Sequence, residues 1–332
     1  MKRFKRVLVI SVVVLSVSLK LHADPWVTYE GQDGPGKGKQ VVLMGGDWEY
    51  RCEECLPMLG KILAYRHGFT CTVLFPINPT EGTIDPDVQN NIPGLEKLQN
   101  ADLLILLAMM LELPDEQTRH IIEYSNAGKP IVAIRCSTLL FRYGNESQSP
   151  YAKYTHTSKD LPGGFSGQVL GGAFAGHHGK HKKESTRGLI NGLNRNHRIL
   201  QGVKDIWGPT DVYAIDHWAP NNQVLVWGQV LQGMKPNDPP NLDKCLMPLV
   251  WIRDLTGAPG KTARVLTTTI GSSVDFECED LRRLLVNGVY WGLGMEQKIP
   301  PKTDVTYVGP YEPSFFGRHL FRKGMKPEDY QN

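Results

Sequence analysis

Val41-Val42-Leu43-Met44-Gly45-Gly46, running straight into Asp47-Trp48-Glu49-Tyr50-Arg51, reads as a short buried strand that ends in glycines and hands its chain to polar side chains. Leu56, Leu59, Leu63 and Tyr65 then recur at helical spacing between Glu53 and His67, and Gly68 stops that helix. Phe69 to Phe75 predicts a second strand and Ala101 to Ala108 a third. The third is apolar on both faces, as a central strand of a parallel sheet must be. Pro114-Asp115-Glu116 opens the next helix with acidic residues in its first turn, Gly128 closes it, and Pro130 to Ile134 follows as a fourth strand. Strands and helices in this order predict an α/β fold with a doubly wound, mostly parallel sheet flanked by helices. In such a sheet ligands bind beyond the carboxyl ends of the strands.

Farther along, Val224 to Val230, Pro248 to Ile252 and Arg264 to Ile270 read as strands, and Glu277 to Trp291 as a helix with Leu281, Leu284, Leu285 and Val289 on one face. Between Tyr143 and Pro209 periodicity is weak and glycine, lysine and histidine are frequent, so long functional loops are expected there. The expected organisation is a signal peptide over 1–23, a flexible entry segment over 24–39, one α/β domain over 40–296 and a C-terminal extension over 297–332 that packs on the surface.

The signal peptide reading rests on Lys2, Arg3, Lys5 and Arg6, the apolar stretch from Val7 to Leu19, and Leu21-His22-Ala23 as a cleavage site. The stretch falls short of the ~20 residues that span a bilayer, so export to the periplasm or the extracellular space, without stable membrane insertion, is expected. The formal charge of +3 includes those four basic residues. The remainder is nearly neutral and offers no field for nucleic acid. Six cysteines permit disulfides in an exported chain without requiring them. Cys52-Glu-Glu-Cys55 lacks the second ligand pair of a zinc motif and reads as part of a helix.

Four separated stretches carry a family likeness: Gly46 to Arg51; Gly176-His177-His178-Gly179-Lys180-His181; Asn196-His197-Arg198-Ile199-Leu200-Gln201-Gly202; and the strand and helix of Ala263 to Gly271 and Leu281 to Gly288. Together they resemble the ThuA-like family, trehalose-utilisation-type domains with a class I glutamine-amidotransferase-like (flavodoxin-like) three-layer sandwich. The tail resembles extensions of exported members from planctomycete-like bacteria. The resemblance implies carbohydrate use, notably of trehalose and oxidised sugars, and carries no agreed mechanism. A glutaminase triad is not expected, because Gly271-Ser272-Ser273 replaces the His and Glu that follow the later strand in that fold.

Candidate site residues come first from the end of the opening strand. Asp47 and Glu49 are expected to act as acid, base or metal ligand, with Tyr50 and Arg51 binding substrate; helix capping is the competing explanation for acidic residues there. Cys136 follows the fourth strand, where the amidotransferase fold places a nucleophile, with Arg135 beside it as a cation or substrate group. His178 is a candidate catalytic group, His178 and His181 a candidate pair for a divalent metal such as zinc, and His177, Arg187 and Trp218 candidate substrate contacts. The expected partner is a small-molecule carbohydrate, handled by acid-base chemistry with or without a metal. The alternative is a non-catalytic carbohydrate-binding or interaction module on the same fold. Oligomeric state is left open.

Overall fold

The computed structural model describes residues 24–256 and 260–331; the signal peptide reading of 1–23 lies outside the described residues. Strands β1 (Trp26–Tyr29), β2 (Gln40–Gly46), β3 (Thr70–Leu74), β4 (Leu103–Ala108) and β5 (Ile131–Ile134) come first, with helices α1 (Cys52–His67) and α2 (Asp115–Asn126) between them. After β5 follow β6 (Ala173–His177), β7 (Thr186–Ile190), β8 (Ile206–Gly208), β9 (Tyr213–Asp216), β10 (Gln223–Val230), β11 (Met247–Thr256) and β12 (Thr262–Thr268), and then α3 (Glu279–Gly292).

Ten strands form one sheet in the order β1-β3-β2-β4-β5-β12-β11-β10-β7-β8. Strands β3, β2, β4, β5 and β12 run parallel, whereas β1 and the series β11, β10, β7 and β8 pair antiparallel. The expectation of a doubly wound, mostly parallel sheet is therefore corrected: the sheet is mixed. The reason is chain length. A parallel return needs a crossover of about a dozen residues or more, usually helical. Only residues 257–261 separate β11 from β12, which leaves an antiparallel hairpin as the short connection.

Alternating side chains of the central strands feed two cores. Val41, Leu43, Leu103, Ile105 and Leu107 face one side with α1 and α3, while Val42, Met44, Leu104 and Leu106 face the other with α2. Helices thus cover both faces of the parallel part. Gly68 ends α1 at φ 81°, donating its N–H to the Ala64 carbonyl, a backbone state that glycine adopts without penalty.

Two segments differ from their sequence reading. Within the supposed flexible entry, Trp26–Tyr29 is hydrogen-bonded to β3 as an edge strand. The loop-rich middle holds β6 and β9, which form a separate antiparallel ribbon in which His177 lies opposite Tyr213. Among its described residues the tail from Ile299 has no α-helix or strand and one 3-10 turn, Pro327–Tyr330, yet it is pinned: Arg282 Nε donates to the Val305 carbonyl at 3.0 Å and Tyr311 Oη to the Ser273 carbonyl at 2.7 Å. Among the described residues no helix is long and apolar enough to cross a membrane.

Candidate functional site

The loop that leaves β2 is shaped by Asp47. Its carboxylate is fully buried and accepts the backbone N–H groups of Glu49 (2.9 Å), Tyr50 and Cys52 (3.3 Å), which fixes the turn into α1. Arg51 takes φ 63° there and spends its guanidinium on Glu53 Oε1 at 2.9 Å and Glu54 Oε1 at 2.7 Å. Both side chains are walled in. The catalytic reading of Asp47 and the substrate-binding reading of Arg51 are corrected: they hold the loop that presents Glu49.

At the end of β5 the residue in the left-handed region is Arg135, φ 45°, and not Cys136. A nucleophile elbow exposes its side chain from the strained position itself, whereas Cys136 has no exposed surface and burial pushes its thiol well above the usual range. The nucleophile reading of Cys136 is therefore corrected. Arg135, also fully buried, lies between the rings of Tyr50 and Tyr213, 4.3 Å from each centroid, and donates to the carbonyls of Asp211 (2.9 Å) and Thr269 (2.7 Å). It is a structural cation rather than a substrate clamp. Tyr50 is likewise enclosed, its hydroxyl accepting from Tyr213 at 2.8 Å.

What Arg135 supports is Asp211. This buried carboxylate lies 3.5 Å from Arg135 Nη2 and accepts from two imidazoles, His177 Nδ1 at 2.7 Å and His181 Nδ1 at 2.8 Å. His181 Nε2 donates in turn to Glu49 Oε1 at 3.0 Å. Carboxylates only accept, so a His181 that donates from both nitrogens is an imidazolium. The electrostatics agree. Desolvation opposes the charge on His181, but its hydrogen bonds to Asp211 and Glu49 outweigh that and raise its pKa. Burial alone would raise Asp211 and Glu49. The bonds from His177 and His181 and the charge of Arg135 hold Asp211 far below the usual carboxylate range, and the His181 bond and charge lower Glu49.

His177 is placed differently. With Nδ1 engaged by Asp211, its Nε2 makes no hydrogen bond among the described residues, and 31% of the side chain is exposed. An Asp-oriented imidazole with an open Nε2 is a general-base geometry, and the neighbouring His181 imidazolium, with ring centroids 4.5 Å apart, is an acid. The tail roofs this group: Phe316 packs on His181 at 5.5 Å and on Tyr50 at 5.8 Å, Gly317 N donates to the Glu49 carbonyl, and Arg318 Nε lies 3.9 Å from Glu49 Oε2.

Glu49, His177 and His181 thus come together, while three other candidates do not. His178 turns away from its neighbour and donates Nε2–H to the Cys245 carbonyl at 2.9 Å. The reading of His178 as a catalytic group, and as the metal partner of His181, is corrected: the metal-capable trio is His177, His181 and Asp211, with ligand atoms within 4.8 Å of one another. Arg187 is engaged by Asp205 and the Pro236 carbonyl, and Trp218 packs on Trp251 at the far end of β9. Neither touches the cluster. Asp211, Phe316 and Arg318 were not anticipated. The one sequence cue to Asp211 is its place just ahead of a strand.

No protein-family model matches the chain, and no curated protein is detectably similar to it. Among solved structures it is similar to a ThuA-like protein from Bacteroides uniformis ATCC 8492, with 14% identity and a TM-score of 0.50 over 82% of this chain and 98% of that one. It also matches a ThuA-like protein from Parabacteroides merdae ATCC 43184, with 15% identity and a TM-score of 0.48 over 77% and 90% of the two chains. Identity this low speaks of architecture alone, and the architecture is the ThuA-like α/β fold.

Proposed function

We propose that this chain is an exported ThuA-like protein of the tail-bearing, planctomycete-like kind, and that it processes a sugar or ketosugar by general acid-base chemistry, with His177 as base and the His181–Glu49 pair as acid. The observation that carries the reading is the sharing of one buried carboxylate, Asp211, by two imidazoles, one left with an open Nε2 and the other held charged. In a ketosugar such a base removes the proton from a carbon next to the carbonyl, and the acid returns a proton to the oxygen or to a leaving group. Export rests on the pattern of residues 1–23, and the carbohydrate class on the family resemblance.

A metal-assisted version has one observation in its favour, the convergence of His177, His181 and Asp211, a donor set that suits a zinc-like ion. Against it, Arg135 already neutralises Asp211, and both Nδ1 atoms lie at hydrogen-bond distance from that carboxylate. The two versions separate by mass-spectrometric metal analysis of residues 24–332: stoichiometric metal that vanishes in the His177→Ala/His181→Ala double variant selects the metal. The proton-transfer reading itself is tested by proton NMR in D2O with a panel of ketosugars. Wild-type protein should catalyse exchange or loss of the proton beside the carbonyl, and His177→Gln should lose about 10²-fold or more in rate. Equal rates in the two proteins would refute it.

A further inference from the structure

Beside the histidine cluster lies an open cleft of about 620 Å³, in the range of about 300–1,000 Å³ usual for small-molecule sites. It sits where chain order reverses, between the segments that leave β2 and β4: Trp48 follows β2, and Met110 and Glu112 follow β4. Its floor is tied down. Met110 N and Leu111 N donate to the carbonyls of Leu139 and Leu140, Arg142 N donates to that of Leu111, and Glu112 N donates to that of Gln89. His319 closes one side by stacking on Trp48 at 5.5 Å and pairing with Asp87 at 2.7 Å, in the left-handed region at φ 57°. Strain of this kind persists where its surroundings over-determine the backbone.

Asp87 and His319 are spent on each other, but other polar groups of this cleft are not. Arg142 makes no ion pair among the described residues; its guanidinium reaches only Met110 Sδ, at 3.7 Å. Glu112, exposed, is engaged only by the Gly144 N–H at 3.3 Å among the described residues. A guanidinium without an ion pair beside an exposed carboxylate that can accept from hydroxyl groups makes a specific combination. An arginine that shares the cleft with the Glu112 carboxylate suits a monoanion and disfavours a phosphate dianion.

We infer that this cleft binds a small polyhydroxylated carboxylate, a sugar acid, with its carboxylate on Arg142 and hydroxyls on Glu112. The inference takes its substrate class from the carbohydrate reading above, but it concerns binding by other residues. Arg318, which lies over Trp48 at 5.4 Å and beside Glu49, joins the cleft to the histidine cluster.

The test is calorimetric titration of residues 24–332 with D-glucuronate, D-gluconate, D-glucose and glucose 6-phosphate, repeated on Arg142→Gln, Arg142→Lys and His177→Gln. A sugar acid should bind more tightly than glucose, lose about tenfold or more in affinity in Arg142→Gln, and recover part of it in Arg142→Lys. Thermal unfolding of the Arg142 variants should match wild type, since the side chain is exposed. His177→Gln should bind as wild type does, so a failed acid-base reading leaves this one standing. Acids that bind no better than glucose, indifference to Arg142→Gln, or a preference for glucose 6-phosphate would each overturn the proposal.

Discussion

Replacing Asp211 with asparagine probes the centre of the cluster without changing its shape. The carboxylate is fully buried, accepts from His177 and His181 at 2.7 and 2.8 Å, and lies 3.5 Å from Arg135, which is itself fully buried. Asparagine keeps one acceptor and offers an NH2 to the second imidazole, so one of two charge-assisted bonds is lost, at about 1.5–3 kcal/mol. Removing one partner of a buried ion pair costs about 3–5 kcal/mol. Arg135 keeps two carbonyls and two aromatic faces, which places the total near the lower end, about 3 kcal/mol. Urea unfolding at pH 7, followed by tryptophan fluorescence, should show the midpoint falling by that amount at unchanged slope. The loss should shrink in an Arg135→Met background, where no charge is stranded. A penalty below about 1 kcal/mol would show that water or rearrangement screens the cluster, and the account of its electrostatics would fall.

Three further perturbations follow from the same geometry. Burial, opposed in part by Arg51, raises the Glu53 carboxyl from 4.5 to about 8. A raised folded-state pKa stabilises fully below the unfolded value and is lost as pH climbs through the folded one, so Glu53→Gln should gain on wild type between about pH 4.5 and 8 in urea midpoints; a constant difference across that range would contradict the burial argument. Iodoacetamide should label exposed Cys245 in the native protein and leave Cys136 untouched until denaturant is added, as peptide mass spectrometry would read; prompt labelling of Cys136 would restore it as a nucleophile. Phe316→Ala should cost about 3–5 kcal/mol and increase the solvent access of His181, seen as faster diethylpyrocarbonate modification, whereas Phe315→Ala, half-exposed, should do neither.

Ala101 to Ala108 was legible as a central strand because two-sided burial leaves an unbroken apolar run, and β4 does lie between β2 and β5. The same cue was read too widely. The later strands come without α-helices between them, and the short link between β11 and β12 marks a hairpin rather than a parallel crossover. Within the site, Glu49 and the histidines stood out because several polar groups gather at a strand end. Asp47 and Arg51 carried the same cue, yet their work is local, holding backbone N–H groups and neighbouring carboxylates. Asp211 was illegible for the opposite reason. Its partners are 30, 34 and 76 positions away, and no periodic pattern encodes contacts made through a ribbon and a loop. His177 and His178 differ by one position, but His177 is the last residue of β6 and bonds Asp211, whereas His178 lies past the strand end and bonds the Cys245 carbonyl, which spacing alone could not assign.

The roof over the histidine cluster also sets an order of assembly. Glu49 and His181 meet residues 316–318 only after nearly the whole described chain is available, contacts of very long sequence separation that form slowly because loop closure precedes their reward. Until then Tyr50 and His181 present an uncovered aromatic face on a domain whose sheet is otherwise complete. Refolding should therefore show the β-sheet signal returning before the cluster is protected, and a nascent chain halted short of Phe316 is the form most prone to stick to chaperones or to itself.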